Sequence, residues 1–461
     1  MFPPFQQEIA LHYLRLLTAS LDAGDSSMIQ LARESEERKN QGIMLGCLVC
    51  CSPGSCRRQV LFCGSGIAKE LVLGHEILAR CENFILVPPL ADSFLITEAL
   101  AKNDEEIHSL TKKINLASDL SDESSEKIIL QEKRKELTDE SLKNVFSLYS
   151  FTRFDGKKIT LNQIIEKYGN KLPPTGTGDC CAPKLLNYAF SHALIPISMA
   201  EIFYGESRGN RICGKAYAPC DERCGYILPE ILGLEILYRD KDIVVVNKEA
   251  GLLSVPGKGE DKADCAESRI KRLFPAGGML AEGACMLQQP AVHRLDMETS
   301  GILILALNKK SHAELNRQFA SGLVHKKYTA LLDGILRGKP DGHTELRFRL
   351  DIDRRPYQIY DEKEGKLAVT EWHKCGVETY ENPITGEKKK VTRIDFYPKT
   401  GRTHQLRLAA ADSHGLALPI VGDSLYGKKN EGERLMLHSC EIEFYHPRSQ
   451  KKILISCPPP F

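Results

Sequence analysis

The sequence predicts an α+β protein with two domains. Apolar runs of strand length, such as residues 43–51 and 302–307, occur along the chain together with stretches of helical periodicity, such as residues 309–321. At 461 residues the chain is long enough for two or three domains. A proline-flanked linker ends near the middle, which predicts an accessory domain over residues 1–230 and a second domain over residues 231–461.

Composition argues against a membrane protein. Hydrophobic residues make up 42% of the chain, and no apolar run approaches the length that spans a bilayer. The N-terminus lacks the pattern of a secretory signal, so we expect a cytoplasmic protein, with a monomer as the default oligomeric state. The net charge of +1 divides into −4 over residues 1–230 and +5 over residues 231–461, which weakly favours a polyanionic partner for the second domain.

The first domain combines helices with a predicted β-hairpin. Residues 1–40 have the pattern of a helix, and residues 43–51 and 58–64 are strands joined by a turn at residues 52–55. Residues 101–145 are charged and contain neither Gly nor Pro, which predicts a helical hairpin that projects from the domain. We interpret its charges as a solvated face rather than an RNA contact.

Residues 173–186 contain Gly176 and Gly178, and glycine-rich loops can bind phosphate. The Gly-Lys-Ser/Thr ending of a P-loop is missing, so we interpret the segment as a structural turn that leads into a helix. Asp179 is its candidate N-cap.

Sixteen cysteines are many for a chain with no export signal, and we interpret them as free thiols. Five of them offer thiolates for a zinc site: Cys180, Cys181, Cys213, Cys220 and Cys224. Their spacing departs from the paired Cys-x2-Cys arrangement. A thiol cluster without metal is therefore the favoured interpretation, and a zinc-binding module is the alternative.

The second domain begins with a strand, a turn and a buried strand, and continues with further helices and strands. The predicted elements are a strand and a short turn over residues 235–242, strands at residues 243–248, 302–307, 326–334 and 391–397, a helix over residues 309–321, and a helix capped by Thr403 that runs to about residue 413. Asp423 precedes Gly427, and we interpret the pair as a tight turn.

One loop in this domain, residues 291–301, leads directly into the apolar run 302–307, which has the character of an interior strand. The loop carries Asp296 close after His293 and Arg294. Positive charge from these two residues would keep the carboxylate ionised, as a nucleophile requires. An ion pair that only holds the loop together is the alternative, and this short segment alone favours it.

Two later segments favour a catalytic role for Asp296 over a purely structural ion pair. Tyr328 stands beside Lys326 on a predicted strand. A dense polar group follows, formed by Arg402, His404, Gln405 and Arg407. A carboxylate, an aromatic ring and several cations together suit a flipped nucleotide, whose base is stacked and whose phosphates are bound by Arg and Lys. Since no second catalytic carboxylate or Ser–His pair accompanies Asp296, ordinary hydrolysis is disfavoured.

Taken together, these segments resemble the signature motifs of the RluA-type pseudouridine synthases. The likeness spans residues 233–461 and includes residues 293–301, residues 326–334 and residues 401–407, in the family's order and at similar spacing. Residues 1–230 resemble the extension of a longer subgroup. The resemblance implies a mixed, largely antiparallel sheet flanked by helices, with a cleft across its middle. It also implies isomerisation of uridine in ribosomal or transfer RNA stem-loops, with neither cofactor nor metal and with no DNA or membrane partner.

Specific roles follow from the same resemblance. Asp296 is implied to be the nucleophile; it attacks the ribose C1′ or assists departure of the base by deprotonating the sugar. Tyr328 is implied to stack on the uracil and to help remove the C5 proton, and Arg407 to pair with Asp296. Arg294 is implied to fill the gap left by the extruded base. The implied substrate-binding residues are Arg294, Lys326, Arg402, His404 and Gln405. A catalytically inactive RNA-binding protein of the same fold is the alternative function.

Overall fold

The computed structural model places the chain in two compact units. The residues it describes are 5, 7–30, 42–52, 58–66, 69–75, 83–117, 125–207, 209–259, 262–274, 284–382 and 384–461. The first unit contains the described residues up to Gly233, and the second begins at Leu234 and includes Phe461. Over this described part of the chain, no helix is long and apolar enough to cross a bilayer.

The first unit is built on a sheet of order β5-β3-β2-β8-β9, in which only β3 and β5 are parallel. The strands of this unit are β1 Ser27–Gln30, β2 Ile43–Cys51, β3 Arg58–Gly64, β4 Lys69–Val72, β5 Phe84–Leu86, β6 Ser150–Thr152, β7 Lys158–Thr160, β8 Ile195–Tyr204 and β9 Ala216–Tyr217. The helices are α1 Glu8–Asp22, α2 Ser93–Ala117, α3 Ser125–Phe146, α4 Leu161–Lys167, α5 Cys181–Ser191 and α6 Cys224–Leu232. Leu14 and Leu17 of α1 pack on the buried face of this sheet, which explains the amphipathic pattern of the helix.

The prediction of a helix over residues 1–40 is wrong for residues 23–30. Gly24 adopts a left-handed conformation with φ of 75°, and the chain then forms β1. Residues 31–41 lie outside the described residues, as do residues 53–57 of the predicted hairpin turn. The two strands of that hairpin form as β2 and β3.

The predicted helical hairpin is present as α2 and α3, with its first helix beginning at Ser93 rather than near residue 101. The amide of Asn103 donates to Ser141 Oγ at 3.3 Å, and Lys133 pairs with Glu106 at 2.7 Å. These contacts join the two helices along their length. The connecting residues 118–124 lie outside the described residues.

The second unit contains a ten-stranded sheet of order β10-β11-β12-β18-β13-β17-β16-β14-β15, with β19 paired to β18. Its strands are β10 Glu235–Arg239, β11 Ile243–Lys248, β12 Ser300–Ala306, β13 His325–Leu332, β14 Asp341–Leu350, β15 Gln358–Tyr360, β16 Lys366–Glu381, β17 Lys388–Pro398, β18 Leu437–Tyr445 and β19 Lys452–Ser456. Its helices are α7 Ala266–Leu273, α8 Lys309–Ala320 and α9 Gln405–Ala411. Only β12 and β18 pair in parallel, so the predicted mixed, largely antiparallel sheet is confirmed.

The centre of this sheet fixes the loop that carries Asp296. Every residue of β12 is buried, as an interior strand requires. At its start, Gly301 has φ of 113°, and an added Cβ would lie 2.3 Å from the carbonyl oxygen of Ser439 on β18. The parallel contact between the two strands therefore depends on glycine at this position.

Candidate active site

The second unit contains a cleft of about 1420 Å³, and the residues predicted from the sequence to form the site line this cleft. Its lining includes Asp296, Tyr328, Arg407, Arg294, Lys326, Arg402, His404 and Gln405. Small-molecule pockets typically measure roughly 300–1,000 Å³, so this cleft has room for a nucleotide and part of its neighbours.

Asp296 lies on a loop held by hydrogen bonds on both sides. Ser254 Oγ donates to the carbonyl oxygen of Leu295 at 2.7 Å and accepts from the N–H of Leu295 at 3.0 Å. The N–H of Thr299 donates to the backbone oxygen of Asp296 at 3.1 Å. The carboxylate itself is 27% exposed, with one oxygen 4.0 Å from His404 Nε2. The backbone is therefore fixed, while the carboxylate faces the cleft.

Lys248, at the end of β11, is fully buried beneath this loop. Its ammonium donates to the carbonyl oxygens of Glu249, Leu252 and Met297 at 2.9, 2.7 and 3.1 Å. Burial lowers the pKa of Lys248 to about 7, against the effect of the nearby Asp296 carboxylate. The side chain thus ties residues 249–252 to the Asp296 loop, with all three of its protons used.

Tyr328 comes from β13, where it is opposite Phe396 of β17 and Ser439 of β18. It is 9% exposed, and its ring belongs to the hydrophobic core below the cleft. Burial raises the pKa of Tyr328 to about 12, with a further contribution from the charge of Asp296. The phenol is therefore neutral at pH 7, and the ring presents an aromatic surface at the cleft.

Arg407 lies on α9 and is 2% exposed. Its Nε and Nη2 donate to the two carboxylate oxygens of Asp423 at 2.9 and 2.5 Å, and Nη2 also donates to Glu298 at 3.2 Å. The expected pairing of Arg407 with Asp296 is therefore wrong as a direct contact. The pKa of Arg407 is raised overall: burial lowers it, but the hydrogen bonds and charge of Asp423 raise it more. The charge of Asp296 also raises this pKa, so Asp296 interacts with Arg407 over a longer distance.

His404 connects the cleft to Tyr426. The N–H of Gln358 donates to the Tyr426 hydroxyl at 2.8 Å, and that hydroxyl lies 2.8 Å from His404 Nδ1. Since the Asp296 carboxylate beside Nε2 can only accept, we assign the ring proton to Nε2, and Nδ1 then accepts the hydroxyl proton of Tyr426. Burial lowers the pKa of His404, against the effect of Asp296.

Comparison with known proteins identifies the second unit. A family model described as RNA pseudouridylate synthase matches residues 242–412. The dual-specificity RNA pseudouridine synthase RluA of Pasteurella multocida is 39% identical over 233 residues, which cover 50% of this chain and 94% of that protein. The protein of the same name from Haemophilus influenzae is 40% identical over 219 residues, covering 46% of this chain and 88% of that protein. The chain belongs to the RNA pseudouridine synthase family.

Among solved structures, human RNA Pseudouridylate Synthase Domain Containing 1 aligns with 27% identity over 50% of this chain and 84% of that chain, with a TM-score of 0.37. The resemblance found in the motifs is confirmed by the family model and the relatives. The protein is therefore an isomerase that converts uridine in RNA to pseudouridine.

Several expectations about individual residues of the synthase need correction. His293 carries no positive charge: its Nε2 accepts the N–H of Ile304 at 3.0 Å, and burial, with nearby Lys326, lowers its pKa to about 3. Thr403 does not cap α9, because His404 occupies the N-cap position in a left-handed conformation. In the first unit, Asp179 is not the N-cap of α5, since Cys180 takes that place and Asp179 accepts the Tyr149 hydroxyl proton at 2.7 Å.

Gln405 lines the cleft, but its amide is used within the protein. Its Nε2 donates to the oxygens of Val369 and Thr370 at 3.0 and 2.9 Å, and its Oε1 accepts from Thr400 and from the N–H of Arg402. The residue is 5% exposed. This geometry gives Gln405 a supporting position under residues 400–402.

The cations at the rim of the cleft are differently placed. Arg294 and Arg402 are exposed, and Lys326 is half-buried, with its pKa lowered by burial. The Arg402 guanidinium donates to the carbonyl oxygen of Leu367, at 3.0 Å. Within the described residues, none of the three cations has a carboxylate at ion-pair distance, so each is available to an anion.

Three residues that organise the site are not evident from the sequence: Asp423, Lys248 and Glu298. Asp423 was interpreted as part of a tight turn; it does accept the N–H groups of Leu425 and Tyr426, but it also holds Arg407. Lys248 and Glu298 were not singled out. A lysine at the end of a buried apolar strand was the one available signal, since such a lysine must find partners inside the protein.

Proposed function

We propose that this synthase modifies uridines in stem-loops of ribosomal RNA, transfer RNA or both, and that it acts in the cytoplasm as a monomer. Relatives that are 39% and 40% identical to this chain are named dual-specificity RNA pseudouridine synthases, which supports the RNA classes. The observation that carries the site assignment is the convergence of all eight predicted side chains on one cleft.

The cations at the rim suit the phosphates of a flipped nucleotide. Arg294, Lys326 and Arg402 surround the cleft without carboxylate partners among the described residues. Phosphate contacts position an RNA and set its affinity without reading its sequence. We assign these three residues to the backbone around the target, with Arg294 in the space that the extruded base vacates.

Asp296 is the proposed nucleophile because its carboxylate faces the cleft on a fixed backbone. The bond between N1 of uracil and C1′ of ribose breaks, the base turns within the cleft, and a bond forms between C5 and C1′. C5 then loses its proton while N1 gains one, so the reaction is a net isomerisation. Two routes fit the same carboxylate: addition to C1′, or removal of a sugar proton that lets the base depart.

Tyr328 contributes the surface on which the uracil stacks. Since its pKa is raised to about 12, it meets the substrate as a neutral phenol. It can accept the C5 proton only if its own proton moves away in the same step. Arg407, fixed by Asp423, contributes positive charge near Asp296.

The test uses the full-length protein and RNA transcribed with uridine that carries tritium at C5. Hairpins from ribosomal RNA and anticodon stem-loops are compared with the same loops as unstructured single strands. We expect tritium release from hairpins of at least one class, with Asp296→Asn as the blank. Release from single strands alone, or equal release in the blank, contradicts the proposal.

We further propose that the first unit selects the RNA. Pseudouridine mapping in cellular RNA, with and without the gene, identifies the sites to follow. Removal of residues 1–230 is then expected to lower RNA affinity or to change the modified sites. An unchanged modification profile contradicts this role.

A further inference from the structure

Three cysteines from two separate segments converge in the first unit. The sulfur atoms of Cys180, Cys220 and Cys224 all lie within 4.8 Å of one another. Cys180 immediately precedes α5, and Cys224 is the first residue of α6. The neighbouring Cys181 is directed elsewhere, with its thiol against the carbonyl oxygen of Met44 and beside Cys63. The fold thus separates two adjacent cysteines and brings only one into the cluster.

We propose that Cys180, Cys220 and Cys224 bind a zinc ion that links α5 to α6, with water at its fourth position. Three thiolates match the preference of zinc for sulfur and tetrahedral geometry. Zinc–sulfur bonds of about 2.3 Å place tetrahedral sulfur ligands about 3.8 Å apart, which is within the spread of this cluster. These three cysteines belong to the first unit, whereas the proposed catalytic residues belong to the second.

The backbone around Cys220 is arranged for a thiolate. The thiols of Cys180 and Cys224 and the N–H groups of Cys224 and Arg223 lie within hydrogen-bonding reach of the Cys220 sulfur. Hydrogen bonds from backbone N–H groups to a ligand sulfur orient it and stabilise its charge, as outer-shell contacts do in metal sites. Cys180 makes no side-chain capping bond at the start of α5, so its sulfur remains turned to the cluster.

The location of the cluster indicates a structural role for the metal. Between Cys180 and Cys220 the chain forms α5 and two of the sheet's five strands, β8 and β9, so one ion closes a loop that contains all three elements. Closing a long loop removes entropy from the unfolded chain and stabilises the folded one. Cys224 is 1% exposed, which places the ion at the edge of the core. Zinc binding releases the thiol protons and involves no oxidation.

The test measures metal in the full-length protein, purified under reducing conditions without chelator. We expect about one zinc per chain by elemental analysis, and loss of this zinc in Cys220→Ser and Cys224→Ser. Cys213→Ser is the matched control, because Cys213 is an exposed thiol of the same unit outside the cluster. Asp296→Asn should also keep its zinc, which separates this site from the proposed catalytic residue.

Cobalt gives a second measurement that needs no variant to fold. After zinc is removed by chelator, the wild-type protein should bind one Co²⁺ with the visible bands of a tetrahedral thiolate site, and its melting temperature should rise again on zinc addition. Absence of stoichiometric zinc together with absence of these bands overturns the proposal. So does zinc retained at full occupancy by both serine variants, or a disulfide among the three cysteines in the reduced, purified protein.

Discussion

Arg407 donates two hydrogen bonds to Asp423, and both side chains are buried, at 2% and 0% exposure. This pair, not a pair with Asp296, fixes the guanidinium at the floor of the cleft. Asp423→Asn leaves the buried cation without its main counter-charge. Breaking a buried pair costs about 3–5 kcal/mol, so we expect a loss of stability of that order together with a large loss of activity.

Urea unfolding and tritium release measure the two effects of Asp423→Asn. Glu298→Gln is the matched control, since Glu298 contacts the same guanidinium but is itself 17% exposed. Glu298→Gln should lose less stability and less activity than Asp423→Asn. An Asp423→Asn protein with the stability and activity of wild type shows that the pair does not position Arg407.

Asp296→Asn should separate chemistry from folding. The side chain is partly exposed, and among the described residues only the neutral His404 ring, at 4.0 Å, lies within ion-pair distance of it. Substitutions at such positions usually change stability by no more than about 0.5 kcal/mol. Removal of a nucleophile costs at least roughly a thousandfold in rate. Tritium release and thermal melting are the measurements, with Asp341→Asn on the surface of β14 as the control. Retained turnover in Asp296→Asn would assign the nucleophile elsewhere.

The elements that carry the site could be predicted because their signals are local. The apolar run of residues 302–307 predicts the strand β12, and the segment after Arg402 predicts the helix α9, each from a few neighbouring residues. The partner of Arg407 could not be predicted, since the sequence offers several carboxylates and only packing selects Asp423. The charge state of His293 likewise depends on burial and on the N–H of Ile304, neither of which a short motif reveals.

The cysteines illustrate the same limit in the first unit. Spacing alone placed Cys180 and Cys181 together as candidates, and the structure brings only Cys180 to Cys220 and Cys224. At the start of α5, the side chain of Cys180 is directed toward the cluster and that of Cys181 toward the carbonyl oxygen of Met44. The sequence therefore identifies the candidate sulfur ligands, but the backbone conformation before α5 determines which of them joins the cluster.

The ring of Tyr328 should determine RNA affinity. Tyr328→Phe retains the aromatic surface and should bind RNA with near wild-type affinity, whereas Tyr328→Leu should lose about 1–3 kcal/mol of base stacking. Fluorescence anisotropy with a labelled hairpin measures both. Phe396→Leu is the control, since Phe396 packs in the same core but does not line the cleft. It should lower stability and leave affinity unchanged. Equal affinity of the Phe and Leu variants at position 328 excludes stacking.

The rim cations should make RNA binding depend on salt. Arg402→Ala is expected to weaken binding of all RNA hairpins alike and to reduce the slope of log affinity against log salt by about 1. Arg354→Ala is the control, because Arg354 is an exposed cation paired with Asp351 away from the cleft. Titrations at several salt concentrations measure the slope. A slope unchanged in Arg402→Ala rules out its phosphate contact.

Two histidines, the buried His438 and the half-buried His293, should make the second unit sensitive to acid. Burial lowers the pKa of His293 to about 3 and that of His438 to about 4, whereas an unfolded histidine titrates near pH 6.5. Between those values the unfolded chain binds more protons, so stability falls as the pH falls below about 6.5. At pH 5 each histidine is expected to cost roughly 2 kcal/mol relative to neutral pH.

The measurement is urea unfolding at pH 7 and pH 5, followed by fluorescence of Trp372, the single tryptophan of the chain, which lies in this unit. His293→Gln keeps an acceptor for the N–H of Ile304 and cannot be protonated. It should therefore lose about 2 kcal/mol less than wild type between the two pH values. His343→Gln, at an exposed position on β14, is the control and should follow wild type. If His293→Gln has the same acid sensitivity as wild type, His293 is not held neutral by the fold.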